Sequence, residues 1–177
     1  MMKKGFLIVS IVSVFLIIAL SGVTYAEDLT LDLCKSKARA AAELIRREGL
    51  AAMPKIEDAN GEFRFADGEG YIWVHNLDGI MIMHPHKTAL NGKGLLDMRD
   101  VNGVYLFVAM NELVEESGEG WVPYAWPKPG EEVSSPKVSY VVLAEHADDE
   151  FVCGAGMYDV TAAEIKARFP DDQMYEE

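Results

Sequence analysis

Between Thr30 and Gly49 the apolar residues Leu33, Ala40, Ala41, Leu44 and Ile45 recur at helical spacing, while Lys35, Arg39, Glu43, Arg46 and Arg47 fall largely elsewhere. The pattern predicts one amphipathic helix, although Lys37 falls inside its apolar stripe. Thr30 supplies an N-cap, Asp32 an acid in the first turn and Gly49 a C-cap. After a stretch broken by Pro54, Asn60-Gly61 and Asp67-Gly68, the period shortens. Residues 71–75 (Tyr-Ile-Trp-Val-His) read as a strand, Asn76-Leu77-Asp78-Gly79 as a hairpin turn, and residues 80–83 as the returning strand. Pro85 ends it, and residues 87–100 form a polar connection containing glycines. A second amphipathic helix over 105–116 carries Leu106, Met110, Leu113 and Val114 on one stripe. Strands follow at 121–126, 137–145 and 150–157, and Thr161 caps a short last helix ending near Phe169. Helix, two strands, helix and three sequential strands predict an α+β fold: a five-stranded antiparallel sheet with the long N-terminal helix packed along it.

The first 26 residues follow a different rule. Lys3 and Lys4 precede a nearly unbroken apolar run over 5–20, and Thr24 and Ala26 place small residues at −3 and −1 of a cut before Glu27. This predicts a secretory signal peptide over 1–26, with an uncleaved anchor over residues 5–21 as the alternative. In both cases residues 27–177 form one domain outside the cytoplasm, periplasmic or extracellular. Nothing later in the sequence is apolar enough to span a bilayer.

The full chain of 177 residues has a formal net charge of −13. Removing Lys3 and Lys4 with the leader leaves 14 basic against 29 acidic residues, or −15. Such a surface repels phosphate backbones and anionic membranes, so nucleic acid is not an expected partner. Half of the residues are hydrophobic, enough for a substantial core. The two cysteines, Cys34 and Cys153, form an even count in an oxidising compartment. They predict a disulfide from the first helix to the last strand, with two buried free thiols as the alternative.

Several short pieces carry a family resemblance. They include Tyr71-Ile72-Trp73-Val74, Leu77-Asp78-Gly79, His84-Pro85, Asn91-Gly92-Lys93, Leu96-Asp97 and residues 100–103. In the later half they are Gly120-Trp121-Val122, Tyr124-Ala125-Trp126-Pro127, Pro136-Lys137-Val138-Ser139-Tyr140 and Gly154-Ala155-Gly156-Met157-Tyr158. In this order and spacing, over roughly residues 30–160, the chain resembles the single Cache family, extracytoplasmic relatives of PAS domains. The resemblance implies a PAS-like sheet bearing a pocket for a small organic molecule, often a short carboxylate. In related receptors such a domain feeds a chemotaxis or kinase module. No second span or cytoplasmic module is expected here, so the partner would be a membrane receptor or transporter.

A carboxylate pocket needs a cation or convergent donors inside apolar walls. The candidates are Tyr71, Trp73, His84, Trp121, Tyr124, Trp126, Lys137 and Tyr140. Lys137 would pair with the carboxylate, or else be a solvated strand-end lysine. His84 would donate a hydrogen bond and titrate near neutral pH, or else cap the Pro85 turn. Tyr124 and Tyr140 would donate phenolic protons or simply pack. Strand register decides which of these side chains share a face. Other chemistries find less support. His84-Pro85-His86 lacks a third metal ligand at a recognisable spacing. Residues 98–109 do not complete a calcium loop. No G-x-S-x-G elbow is present. The sequence therefore predicts a small-molecule sensor or binder that is not an enzyme and carries no cofactor or metal. A ligand-free interaction module and a redox-responsive protein using Cys34 and Cys153 are the alternatives.

Overall fold

The computed structural model describes residues 28–176; the expected leader lies outside them. Thr30 caps helix α1 (Leu31–Glu48) through its side chain, which accepts from Leu33 N–H, and Gly49 closes it at φ 58°. A short α2 (Met53–Glu57) follows. The expected strand over 71–75 is two pieces. β2 (Gly70–Tyr71) pairs with β1 (Arg64–Phe65) in a small ribbon. β3 (Trp73–Asn76) joins the main sheet together with β4 (Met81–Met83). The Asp78-Gly79 turn forms as expected: Gly79 N–H donates to Asn76 O at 2.8 Å, and Gly79 takes φ 75°, where a side chain would be strained.

Helix α3 (Leu106–Ser117) precedes three long strands: β5 (Glu119–Pro127), β6 (Ser134–His146) and β7 (Asp149–Tyr158). The order across the antiparallel main sheet is β4-β3-β7-β6-β5. α4 (Ala162–Arg168) starts in a capping box between Thr161 and Glu164. The tail then reaches the outer edge of β5, where Trp121 N–H donates to Gln173 O and Tyr175 N–H donates to Trp121 O, both at 2.9 Å. The exposed edge of β5 is thereby partly covered, which removes a template for unwanted strand pairing.

Both faces of the sheet are covered. One packs on α1 through Cys34, Ala38, Ala41, Ala42 and Ile45, against Val138, Tyr140, Val142, Cys153 and Ala155. The other packs on α3 through Phe107, Met110 and Val114, against Val122, Val141 and Val152. The α1 stripe corrects the expected one: Ala40 is exposed and Leu33 half-buried, whereas Cys34, Ala38 and Ala42 are buried. Alanines occupy four of the five positions 38–42, so hydrophobicity alone could not choose the face. The side with the smallest residues approaches the sheet.

The expected disulfide is absent: Cys34 and Cys153 are free, buried thiols. α1 runs alongside β6 in the same direction, since Arg39 donates to Tyr140 Oη and Arg46 to the Leu143 carbonyl. Cys153 pairs with Val142, between those two levels. Cys34 lies before Arg39, roughly 10 Å or more along the helix from that level at 1.5 Å rise per residue. A disulfide requires Cα atoms about 4.4–6.8 Å apart. Burial pushes both thiols up to about 12, so each stays protonated and behaves as a small core residue.

Candidate functional site

Lys137 is the fourth residue of β6, opposite Tyr124 of β5 and Tyr158 of β7. Antiparallel partners point to the same face, so all three side chains project toward the α3 side. The Lys137 side chain is not a solvated strand end: the residue is 2% exposed. Its Nζ donates to Tyr71 Oη at 2.8 Å. It lies 4.6 Å from the ring centroids of Tyr71 and Tyr158 and 5.2 Å from that of Trp73, an aromatic cage of the kind that stabilises a cation. Among the described residues, no carboxylate lies within ion-pairing distance of it. Burial pushes the amine down from 10.5 to about 7.

The hydroxyls around it form a chain. Tyr71 Oη and Tyr158 Oη are 3.2 Å apart, and Tyr158 donates to Pro127 O at 2.9 Å. Tyr124 Oη and Ser139 Oγ are 2.9 Å apart. Burial raises the pKa of Tyr71, Tyr124 and Tyr158, so these phenols remain proton donors at neutral pH.

His84 follows β4 and is 3% exposed. Its Nδ1 accepts from the backbone N–H groups of His86 (3.2 Å) and Lys87 (3.1 Å). With Nδ1 an acceptor, the neutral ring carries its proton on Nε2, a donor. Burial first, then Lys137, holds the ring's pKa down to about 3, so it does not titrate near neutrality as the sequence suggested. The capping reading of His84 is the one seen, since its ring fastens the turn after Pro85. His86 makes a 3.0 Å contact from Nε2 to Arg64.

These groups surround a hollow of about 10 Å³ lined by Trp73, His84, Tyr124, Trp126 and Lys137 from the sheet side and by Leu106, Phe107 and Met110 of α3. That volume holds about one water. The Trp73 indole N–H is buried with no hydrogen-bond partner among the described residues. One boundary of the hollow thus offers an ammonium and unengaged donors, while the opposite one is hydrocarbon. A larger depression of about 510 Å³ shares Tyr124 and Lys137 with the hollow and is otherwise lined by Asp100, Pro136, Thr161 and Lys166 among others. Another, about 680 Å³, is lined by Asp28, Asp67, Glu69, Glu131 and Asp159 with the single cation Lys128, a mostly acidic setting that disfavours anions.

Six of the eight candidates thus meet on the α3 face: Tyr71, Trp73, His84, Tyr124, Trp126 and Lys137. Trp121 and Tyr140 do not. They pair with each other across β5 and β6, one step out of phase, and lie on the α1 face with ring centroids 4.9 Å apart. The Trp121 indole donates to Asp172 at 2.9 Å, and Tyr140 accepts from Arg39. Sequence reasoning missed Tyr158, Ser139 and the α3 wall. A signal for the strand residues existed in Gly154-Ala155-Gly156: glycines at alternate positions clear one face. A side chain at Gly154 would collide with the Trp73 ring, and one at Gly156 with Ser139.

A family model, dCache_2, described as a Cache domain, matches residues 34–169. The chain belongs to the Cache domain family. Cache domains are extracytoplasmic sensor domains of membrane receptors, with the PAS-like helix-and-sheet order described above. The methyl-accepting chemotaxis protein McpP of Pseudomonas putida is 34% identical over 106 residues, 59% of this Cache chain and 19% of that protein. The sensor histidine kinase MctS of Rhizobium johnstonii is 31% identical over 90 residues, 51% of this chain and 19% of that one. The chain thus matches about a fifth of the length of these relatives. Among solved structures, a periplasmic sensor domain of a chemotaxis protein aligns with a TM-score of 0.61 at 32% identity, covering 74% of this chain and 99% of that one. A Cache chemosensory domain solved for its recognition of carboxylic acid aligns with a TM-score of 0.57 at 26% identity, covering 73% and 88%. No helix among the described residues is long and apolar enough to cross a membrane.

Proposed function

We propose that this Cache domain is exported, with residues 1–26 as its leader, and that it binds a short organic acid in the hollow beside Lys137. The observation that carries the reading is the Lys137 ammonium: buried, ringed by aromatics and without a carboxylate partner among the described residues. Desolvating an amine without a counter-ion is costly, and an incoming carboxylate would offset that cost. Lys137 would pair with the ligand, His84 Nε2–H and the unengaged Trp73 N–H would donate to it, and Leu106, Phe107 and Met110 would hold its hydrocarbon end. The carboxylic acid recognised by the similar solved Cache domain supports the same ligand class. The occupied domain would then act on a membrane receptor or transporter.

The small volume of the hollow favours a second reading, in which the aromatics merely fill a scaffold. The unengaged indole N–H and the unpaired ammonium weigh against it, because a packed scaffold has no use for either. A thermal-shift screen of acetate, propionate, lactate and pyruvate separates the two, since a ligand raises the midpoint of the state that binds it. At least one acid should stabilise the protein, and Lys137→Met should abolish the shift. If none raises the midpoint, the scaffold reading stands.

A further inference from the structure

A one-water hollow cannot be filled from outside unless one of its walls moves. Trp126 is the one lining residue that is not buried. It sits near the end of β5, with its backbone held opposite Ser135. Its ring meets Phe107 and Tyr124 edge-on, both at 6.4 Å, on the side of the hollow, and on the side of the 84–87 turn His84 stacks on it at 6.3 Å and Lys87 Nζ lies 5.5 Å from its centroid. The turn over residues 84–87 is anchored at its start by the buried His84, whose N–H donates to Asn91 Oδ1 at 2.9 Å and whose ring holds the His86 and Lys87 N–H groups, while its far end lies at the surface. His86 is exposed and meets the Tyr71 ring edge-on at 4.7 Å, and Lys87 is half-buried. Among the described residues, no carboxylate ion-pairs with Lys87, although the chain carries 29 acids. Its cation–π contact with Trp126 is therefore the electrostatic tie across this seam.

We propose that Trp126 and the 84–87 turn form the gate of the hollow, that Lys87 is its latch, and that small acids pass between them. The inference rests on reading the hollow as a carboxylate site. A latch that closes over empty and occupied states alike slows entry and exit together and leaves affinity nearly untouched.

The test is stopped-flow intrinsic fluorescence of the whole chain with acetate and with propionate, since Trp73 and Trp126 both line the hollow. High salt, about 0.5 M, screens long-range attraction of the anion by Lys87. Lys87→Ala should raise the association and dissociation rate constants together by about two- to fivefold, the range expected for one half-exposed cation–π contact. The dissociation constant should stay within about twofold, and Lys87→Arg should restore the slow rates. Unchanged rates in Lys87→Ala, beside saturable wild-type binding, would place the gate elsewhere. A change in dissociation alone, with affinity weakened in proportion, would make Lys87 a ligand contact and also overturn the latch. No saturable wild-type signal with either acid would remove the carboxylate reading itself, and the gate with it.

Discussion

The indole of Trp73 lies over Gly154, its partner on β7, in the space that a side chain at position 154 would need. The two residues are matched: the glycine permits the ring to lie flat along the sheet, and the ring forms one wall of the hollow. Gly154→Ala forces the indole away from rigid β-sheet backbone, and overpacking of this kind costs about 1–3 kcal/mol. Chemical denaturation should show that loss. Carboxylate binding should weaken further than the stability change explains, because Trp73 is displaced into the site. An alanine variant with wild-type stability and affinity would mean that the ring is not fixed by this contact.

Most of the architecture was legible from the pattern of the chain. The α1 cap at Thr30, the Asp78-Gly79 turn and the Thr161 cap are local devices, and the structure uses each as read. The face of α1 was not legible, because a run of alanines gives the apolar pattern no contrast. The sheet face of each aromatic was not legible either. Trp121, Tyr124, Trp126 and Tyr140 look equally suited to a pocket, and only the pairing of Trp121 with Tyr140 and of Tyr124 with Lys137 separates them. Cysteine parity suggested a bridge, but the distance along α1 is a tertiary fact that counting does not contain. The burial of Lys137 depends on a ring of aromatics from three separate strands, β2, β3 and β7, and no local window shows it.

That buried amine should make stability depend on pH in a defined direction. Its folded pKa, about 7, lies below the ordinary 10.5, so the unfolded chain binds more protons between those values. The cost of burying the charge is complete below about pH 7 and is relieved as pH rises. The thiols oppose this at higher pH, because their folded pKa values are raised to about 12 and unfolding releases their protons above about 9. The clean window is therefore about pH 7 to 9. Lys137→Met should be more stable than wild type at pH 6.5 by about 1–4 kcal/mol, and the difference should narrow toward pH 9. Urea unfolding at the two pH values measures it. A difference that is flat with pH would mean that the folded amine stays protonated throughout, with no depressed pKa.

Ligand binding should take up a proton for the same reason. Near pH 7 about half of the empty sites carry a neutral amine, while a bound carboxylate favours the ammonium and raises its pKa. Affinity should be level below about pH 7 and fall about tenfold per unit above it, until the pKa of the complex is reached. His84 does not contribute in this range, because its pKa lies near 3. Calorimetric titration with propionate at pH 8, in two buffers of different ionisation enthalpy, should show uptake approaching one proton per ligand. Equal apparent enthalpies in both buffers would exclude Lys137 as the group that answers the ligand.

The opposite face of the sheet supplies a control with the contrary expectation. Asp172 accepts both the buried Trp121 indole N–H, at 2.9 Å, and the Lys35 ammonium, at 2.6 Å. Lys35 also lies over the rings of Tyr140 and Phe169, so one carboxylate ties α1, β5 and the C-terminal tail together. The ion pair is largely shielded from solvent, with side-chain exposures of 16% and 18%, so it is not a weak surface pair. Asp172→Ala leaves a buried donor without an acceptor and a shielded cation without its partner, a loss of about 2–4 kcal/mol. It also loosens the tail from the β5 edge, where Trp121 meets Gln173 and Tyr175. Because Trp121 and Tyr140 stand apart from the hollow, acetate and propionate affinity measured well below the midpoint should remain within about twofold of wild type. Equal losses of stability and affinity would show that the two faces of the sheet are coupled, and that the hollow depends on the tail.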